Sequence, residues 1–182
     1  MATSYSTPIK FMSLSVLLIS MMMMVCEVNG QLPRRETTLV YYLQDRATEP
    51  NATVAPVVGI RGRDWNYNTF GTIFVVDDPV RVGPSPLSTE VGRAQGMLVV
   101  SAHDARNVNV VLSIVFNDLE YRGSTLELQG LSRQRENYKE ISVVSGTGRF
   151  RFVRGFAVLQ TALYDAETAQ SIVRLTLTLR QY

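Results

Sequence analysis

The sequence predicts a single-domain, all-β protein of antiparallel strands, and three observations carry that reading. Apolar and polar residues alternate with a period of two in segment after segment, Gly-containing turns join neighbouring segments, and no amphipathic helical pattern runs through the region after residue 30. The last segment is the clearest: Leu175, Leu177 and Leu179 alternate with Arg174, Thr176, Thr178 and Arg180, giving one apolar and one polar face. In chain order, strands are expected over Thr37–Gln44, Val54–Ile60, Phe70–Val76, Gly96–Ser101, Val108–Phe116, Thr125–Gln129, Glu140–Val144, Phe150–Val153 and Phe156–Leu163, then this last one. Tyr121-Arg122-Gly123-Ser124, Ser145-Gly146-Thr147-Gly148 and Asp165-Ala166-Glu167-Thr168 read as hairpin turns, with Gly supplying positive φ. The segment from Asp77 to Glu90 holds Pro79, Pro84 and Pro86, so it is expected to leave the sheet and cross its end as a loop. Many short antiparallel strands without helical cover make a sandwich or a closed barrel, and periodicity does not choose between them.

The 182 residues are 46% hydrophobic and 19% charged, with a formal net charge of +2, the proportions of a globular chain. The N-terminus differs from the rest. Lys10 precedes an apolar run from Phe11 to Cys26 that is short for a bilayer span, and Val28 and Gly30 then offer small side chains at cleavage positions. Residues 1–30 are therefore read as a signal peptide cleaved near Gly30, with an uncleaved anchor as the alternative, and residues 31–182 as the folded domain. Secretion gives weight to the sequon Asn51-Ala52-Thr53, which makes Asn51 a candidate glycosylation site.

Cleavage removes one base, one acid and the single cysteine, Cys26, so the charge stays at +2 and no disulfide is expected. That charge makes no electrostatic case for nucleic acid. His103 is the one histidine, so a His/Cys metal centre or a Ser-His or Cys-His pair would have to use it; placed in a turn-like cluster, it is read as a solvated turn residue before a catalytic one. No cofactor or metal is expected, and any redox step must be supplied from outside.

Three segments form an ordered pattern: Phe70-Gly71-Thr72-Ile73-Phe74-Val75-Val76-Asp77-Asp78-Pro79, Val91-Gly92-Arg93-Ala94-Gln95-Gly96, and Val144 to Gly155 with its Gly146-Thr147-Gly148 core. With Tyr41-Tyr42-Leu43-Gln44-Asp45 at the start and Glu120 to Leu126 between, the chain from about Thr37 to Tyr182 resembles the dirigent proteins of land plants. Gln44 stands where that family usually has histidine. The resemblance implies an eight-stranded antiparallel β-barrel with a pocket at one end, a homo-oligomer (trimer or dimer), and an apoplastic or cell-wall location. It further implies a phenolic ligand, a monolignol radical or a quinone methide, whose stereochemistry the protein steers, while a separate oxidase such as a laccase or peroxidase makes the radical. An enzyme that forms or cyclises a quinone methide, and a cell-wall interaction protein, are the alternatives.

The same resemblance singles out Asp45 and Arg154 as catalytic candidates. A buried carboxylic acid can donate a proton to a quinone-methide oxygen, and a guanidinium can stabilise charge on it. The alternatives are a solvated carboxylate ending the first strand and an arginine snorkelling from the barrel end. Arg149 stands where lignan-forming members carry a second Asp, and Leu98 and Val100 stand where they carry Tyr. With Tyr42, these three are the expected substrate contacts, in a pocket less acidic and more apolar than that of lignan formers. Arg149 and Arg154 have opposite parity, so only a bulge brings both to one face. Trp65, Tyr67 and Phe70 are read as core or barrel-end packing before ligand contact, and Asp77-Asp78-Pro79 as the start of a loop.

Overall fold

The structure, a computed structural model, describes residue 16 and residues 18–22, 36–118 and 120–181. The chain divides into two units, Met1–Arg34 and Arg35–Tyr182. In the first, the described residues are helical, and most of the expected signal segment 1–30 lies outside the described residues.

The second unit is the barrel. Nine strands form one antiparallel sheet: β1 (Glu36–Arg46), β2 (Val54–Val58), β3 (Ile73–Arg81), β4 (Glu90–Val100), β5 (Asn107–Phe116), β6 (Thr125–Arg133), β7 (Lys139–Gly146), β8 (Val153–Asp165) and β9 (Gln170–Gln181). Their order is β1-β9-β8-β7-β6-β5-β4-β3-β2, and β1 also pairs with β3. That second pairing closes eight strands into a ring, leaving β2 as a short extra strand on the exposed half of the β3 edge. The expected eight-stranded barrel is thus the fold, and closure removes the free edges that an open sheet would present.

Alternation drives this arrangement. Inward positions carry the apolar residues, among them Leu112 and Ile114 on β5, Leu126 and Leu128 on β6, and Leu175, Leu177 and Leu179 on β9, all buried. Many outward positions carry Thr, Arg, Ser or Gln, and a one-residue slip would expose the inward apolar set. At one end the interior is plugged by aromatics: Phe116 lies 5.8 Å from Tyr41, 5.5 Å from Tyr121 and 5.3 Å from Phe150, centroid to centroid. The other end is open.

Two expectations are corrected. The segment expected as a strand over Phe150–Val153 reaches strand only at Val153, where β8 begins: Gly148–Phe150 makes one turn of 3-10 helix, which turns Phe150 inward into the plug. Gly148 permits this with φ +59°, and the Arg149 N–H donates to Ser124 Oγ at 3.0 Å.

The second correction concerns Asp77-Asp78-Pro79, which lies within β3 rather than in a loop, so the strand continues to Arg81. Proline is tolerated there because the neighbour on that edge changes. The Asp77 N–H donates to Thr53 O at 2.8 Å on the β2 side. Two residues later, where residue 79 would direct its own N–H, β2 has ended and the β1 pairing has only begun, at Val80. Beyond it, Arg81 clasps the seam from outside, donating to Gln44 Oε1 at 3.1 Å and to Glu90 Oε2 at 3.0 Å.

Gly148→Ala is expected to lower stability by about 1–3 kcal/mol, because the side chain meets both positive φ and Ser124 Oγ, which a Cβ would approach to 2.5 Å. Chemical denaturation checks this, and a change within error would show that the turn is not strained by a Cβ.

Candidate functional site

The register of the β1–β3 closure builds the site. Tyr42 faces Arg81 and Leu43 faces Val80, and continuing that antiparallel register by two residues sets Asp45 opposite Asp78. Both side chains share the inward face of their strands with Leu43 and Val80. Ladder pairing stops before them because Pro79, opposite Gln44, has no N–H to give. Thr53 fills the opening: its hydroxyl accepts from the Arg46 N–H at 2.9 Å and donates to Asp78 Oδ1 at 2.6 Å. From the other neighbour of β1, Ser171 Oγ donates to Asp45 Oδ2 at 2.8 Å.

Two carboxylates directly opposite each other in a buried site repel, and holding a proton between them relieves this. Asp78, with 3% of its surface exposed, is pushed up to about 9, first by burial, then by the charge of Asp45 and the hydrogen bond with it. Asp45 is also raised by burial, against the lowering effect of hydrogen bonds from Asp78 and Ser171 and of the Lys139 charge. Both carboxyls are thus raised, and the pair holds a shared proton at neutral pH.

These groups form the polar floor of a cavity of about 460 Å³ at the open end of the barrel, walled by Leu43, Val76, Leu98, Val110, Leu159 and Val173. Tyr67 folds over it from the β2–β3 connection, its ring stacked on Phe74 at 4.1 Å and 7°. Burial and the two nearby carboxyls push the Tyr67 phenol above its ordinary range, so it stays a neutral donor. Lys139, inward-facing at the start of β7, is the one cation lining the cavity among the described residues; burial lowers its ammonium and the Asp45 charge opposes that. An apolar chamber of this size, with convergent acid, phenol and ammonium groups, suits one ring-bearing ligand with oxygen functions.

Of the residues singled out from the sequence, Asp45 and Leu98 line this cavity. The others do not. Val100 shares the face of Leu98 but is fully buried and does not line the cavity; its backbone continues the pairing beyond β3, its N–H donating to Thr72 O and its carbonyl accepting from Gly71 N–H, both at 2.9 Å. Tyr42 alternates with the buried Tyr41 and Leu43, so it faces outward.

Arg149 and Arg154 lie at the plugged end. Asp45 faces Ser171 on β9 and Arg154 faces Arg180, nine residues along the same strand, which corresponds to about 30 Å. Arg149 sits in the 3-10 turn beside Tyr121, and Arg154 borders a separate open hollow with Arg151 and Phe152. A bulge does not bring either to Asp45. Asn51 is exposed in the β1–β2 connection. His103 is an exposed turn residue, its ring 4.1 Å from Phe70.

The residues missed were Asp78, Tyr67 as a ligand-facing group, Ser171 and Lys139. A usable signal existed for two of them. Phe74, Val76, Asp78 and Val80 alternate without interruption, as do Lys139, Ile141 and Val143. Pro79 had masked the first pattern.

The shared proton has a consequence for stability. Asp78 is raised above its ordinary value of 3.8, so its contribution to folding is fully present below about pH 4 and is lost as pH rises towards 9. Asp78→Asn keeps a donor for Asp45 and an acceptor for Thr53 but cannot ionise. It is expected to gain stability relative to the native chain as pH rises from 5 to 8, by a few degrees in Tm at about 2–4 °C per kcal/mol. Parallel pH profiles of the two proteins would place the proton elsewhere.

The chain matches the Dirigent-like protein family over residues 36–180. It is 34% identical over 138 residues to pterocarpan synthase 1 of Glycyrrhiza echinata, covering 75% of this chain and 73% of that protein. It is 36% identical over 132 residues to dirigent protein 1 of Arabidopsis thaliana, covering 72% of each. Two solved pterocarpan synthase dirigent proteins superpose with TM-scores of 0.75 at 31% and 32% identity, over 84% and 83% of this chain and 88% and 99% of theirs. A dirigent-type role in phenolic metabolism follows from these relationships, and the chain belongs to the plant dirigent family.

Proposed function

We propose that this protein binds a phenolic quinone methide, or the benzylic alcohol that precedes it, and directs its closure to one stereochemical product without carrying out any oxidation. The observation that carries the reading is the Asp45–Asp78 pair on the floor of an apolar cavity. The acid of the pair donates to the quinone-methide oxygen. A nucleophilic hydroxyl adds to the exocyclic carbon, the ring regains aromaticity, the oxygen keeps the donated proton, and the carboxylate left behind takes the proton of the attacking hydroxyl. No net proton is consumed. Lys139 takes the place that the sequence reading gave to Arg154, as the cation that steadies negative charge on oxygen. Apolar walls fix which face of the ring is open.

Closure within one molecule is favoured over coupling of two because about 460 Å³ falls in the range that encloses a single drug-sized ligand. Similarity to proteins named pterocarpan synthases supports the same choice. Radical coupling with a partner oxidase, the other dirigent chemistry, would need a second phenol at the cavity mouth.

Secretion to the apoplast after cleavage near Gly30 fits a chain with one cysteine, in the signal segment, and an exposed sequon at Asn51. A homo-oligomer is supported by the outer face of the barrel. Val75 is in register with Met97, and Met97 with Val111, so three half-exposed apolar side chains form one row across β3, β4 and β5.

With an isoflavanol-type substrate, product formation should exceed the buffer rate and give one enantiomer by chiral chromatography. Asp45→Asn and Asp78→Asn should each lower the rate by about 10²-fold or more, the usual contribution of a general acid or base. An unaltered rate and enantiomeric excess in both would remove the pair from the chemistry. Met97→Glu should convert an oligomer to a monomer by sedimentation, and an unchanged mass would place the interface elsewhere.

A further inference from the structure

The cavity has a polar annex. A hollow of about 250 Å³ on the barrel rim adjoins it and shares three of its lining residues, Gln134, Lys139 and Thr161. Arg135, Glu136, Asn137, Tyr138 and Gln160 complete its wall. Whereas the chamber below is walled mainly by Leu and Val, this one is walled by three side-chain amides, a hydroxyl, a phenol and charged groups of both signs. Among the described residues, none of the side chains of Gln134, Asn137, Gln160 and Thr161 is hydrogen-bonded to another protein group; Gln134 is held by its backbone, whose N–H donates to Arg106 O at 2.8 Å. Each amide thus offers two donors and an acceptor outward, and the threonine offers one donor and an acceptor.

We infer that the site takes a two-part ligand, a phenolic ring system in the barrel and a neutral, hydroxyl-rich substituent of the size of one sugar ring in the annex. This rests on the reading of the cavity as a phenol site and names its substrate class more closely, as a phenolic glycoside. A sugar hydroxyl is both donor and acceptor and pairs with amides in either sense, which a cluster of like charges does not offer. The charged groups that line the annex, Arg135, Glu136 and Lys139, are of both signs. Glu136 pairs with Arg133 at 3.2 Å, and the Lys139 ammonium lies in the field of Asp45. Lys139, at the junction of the two chambers, faces the oxygen that links them. Asn137 and Gln160 line the annex and not the cavity, so the substituent can be tested without touching the acid pair.

The test is equilibrium dialysis with the full mature chain and three probes: an isoflavan, which lacks the leaving hydroxyl and does not react, its O-β-glucoside and its O-β-glucuronide. The glucoside should bind about tenfold more tightly than the free isoflavan, the effect of one or two net hydrogen bonds. The double variant Asn137→Ala/Gln160→Ala should bring the two within about twofold while leaving isoflavan affinity unchanged. Isoflavan binding with a glucoside no tighter, or tighter to the same extent in the variant, overturns the glycoside inference and leaves the phenol site standing. A glucuronide preferred over the glucoside overturns it in favour of an acidic substituent. Failure of all three probes to bind overturns the phenol site itself.

Discussion

The rest of the structure depends on the pairing that closes the barrel, between Tyr42–Leu43 on β1 and Val80–Arg81 on β3. It is short, two residue pairs, and it does two things. It converts an open sheet into a ring, which gives the inward Leu, Val and Ile side chains of eight strands a common core. It also fixes the register that brings Asp45 opposite Asp78. The same strands that seal the barrel carry the carboxyls, so fold closure and site assembly are one event. Arg81, bonded to Gln44 and Glu90 across the outside of the seam, holds both.

Where the ladder stops matters as much as where it runs. Pro79 cannot donate, Thr53 occupies the gap it leaves, and β2 takes over the edge of β3 beyond. A continued ladder between β1 and β3 would have left no place for Thr53 to bind Asp78 from behind. The barrel is polarised as a result. One end is filled by Tyr41, Phe116, Tyr121 and Phe150, while the other holds a cavity with an acid floor and an amide-lined rim. The Gly-Thr-Gly turn, which looked like part of the site, belongs to the plug: it supplies Phe150 to the core, and its arginines lie outside the cavity.

Legibility followed the range of the interactions. Alternation along β9 and β5 was readable because it repeats every two residues and needs no partner to be seen. The turns were readable from Gly and Asp for the same local reason. Asp45 and Leu98 came from the resemblance and lie on the cavity; Tyr42 faces outward by parity, which the sequence displays, and Val100 is buried in the core away from the cavity, which it does not. Arg149 and Arg154 failed because distance along a barrel depends on register between strands far apart in sequence.

By itself, then, the sequence determined an antiparallel all-β chain, its approximate strands, and the family whose motifs it carries, since each of these is written in local composition and order. Tertiary structure alone decided that Asp78 stands opposite Asp45, that Lys139 reaches the same cavity, and that the two arginines belong to the opposite end. The physical reason is that strand register is set by closure of the whole ring, and no residue within a strand encodes which residue will stand opposite it.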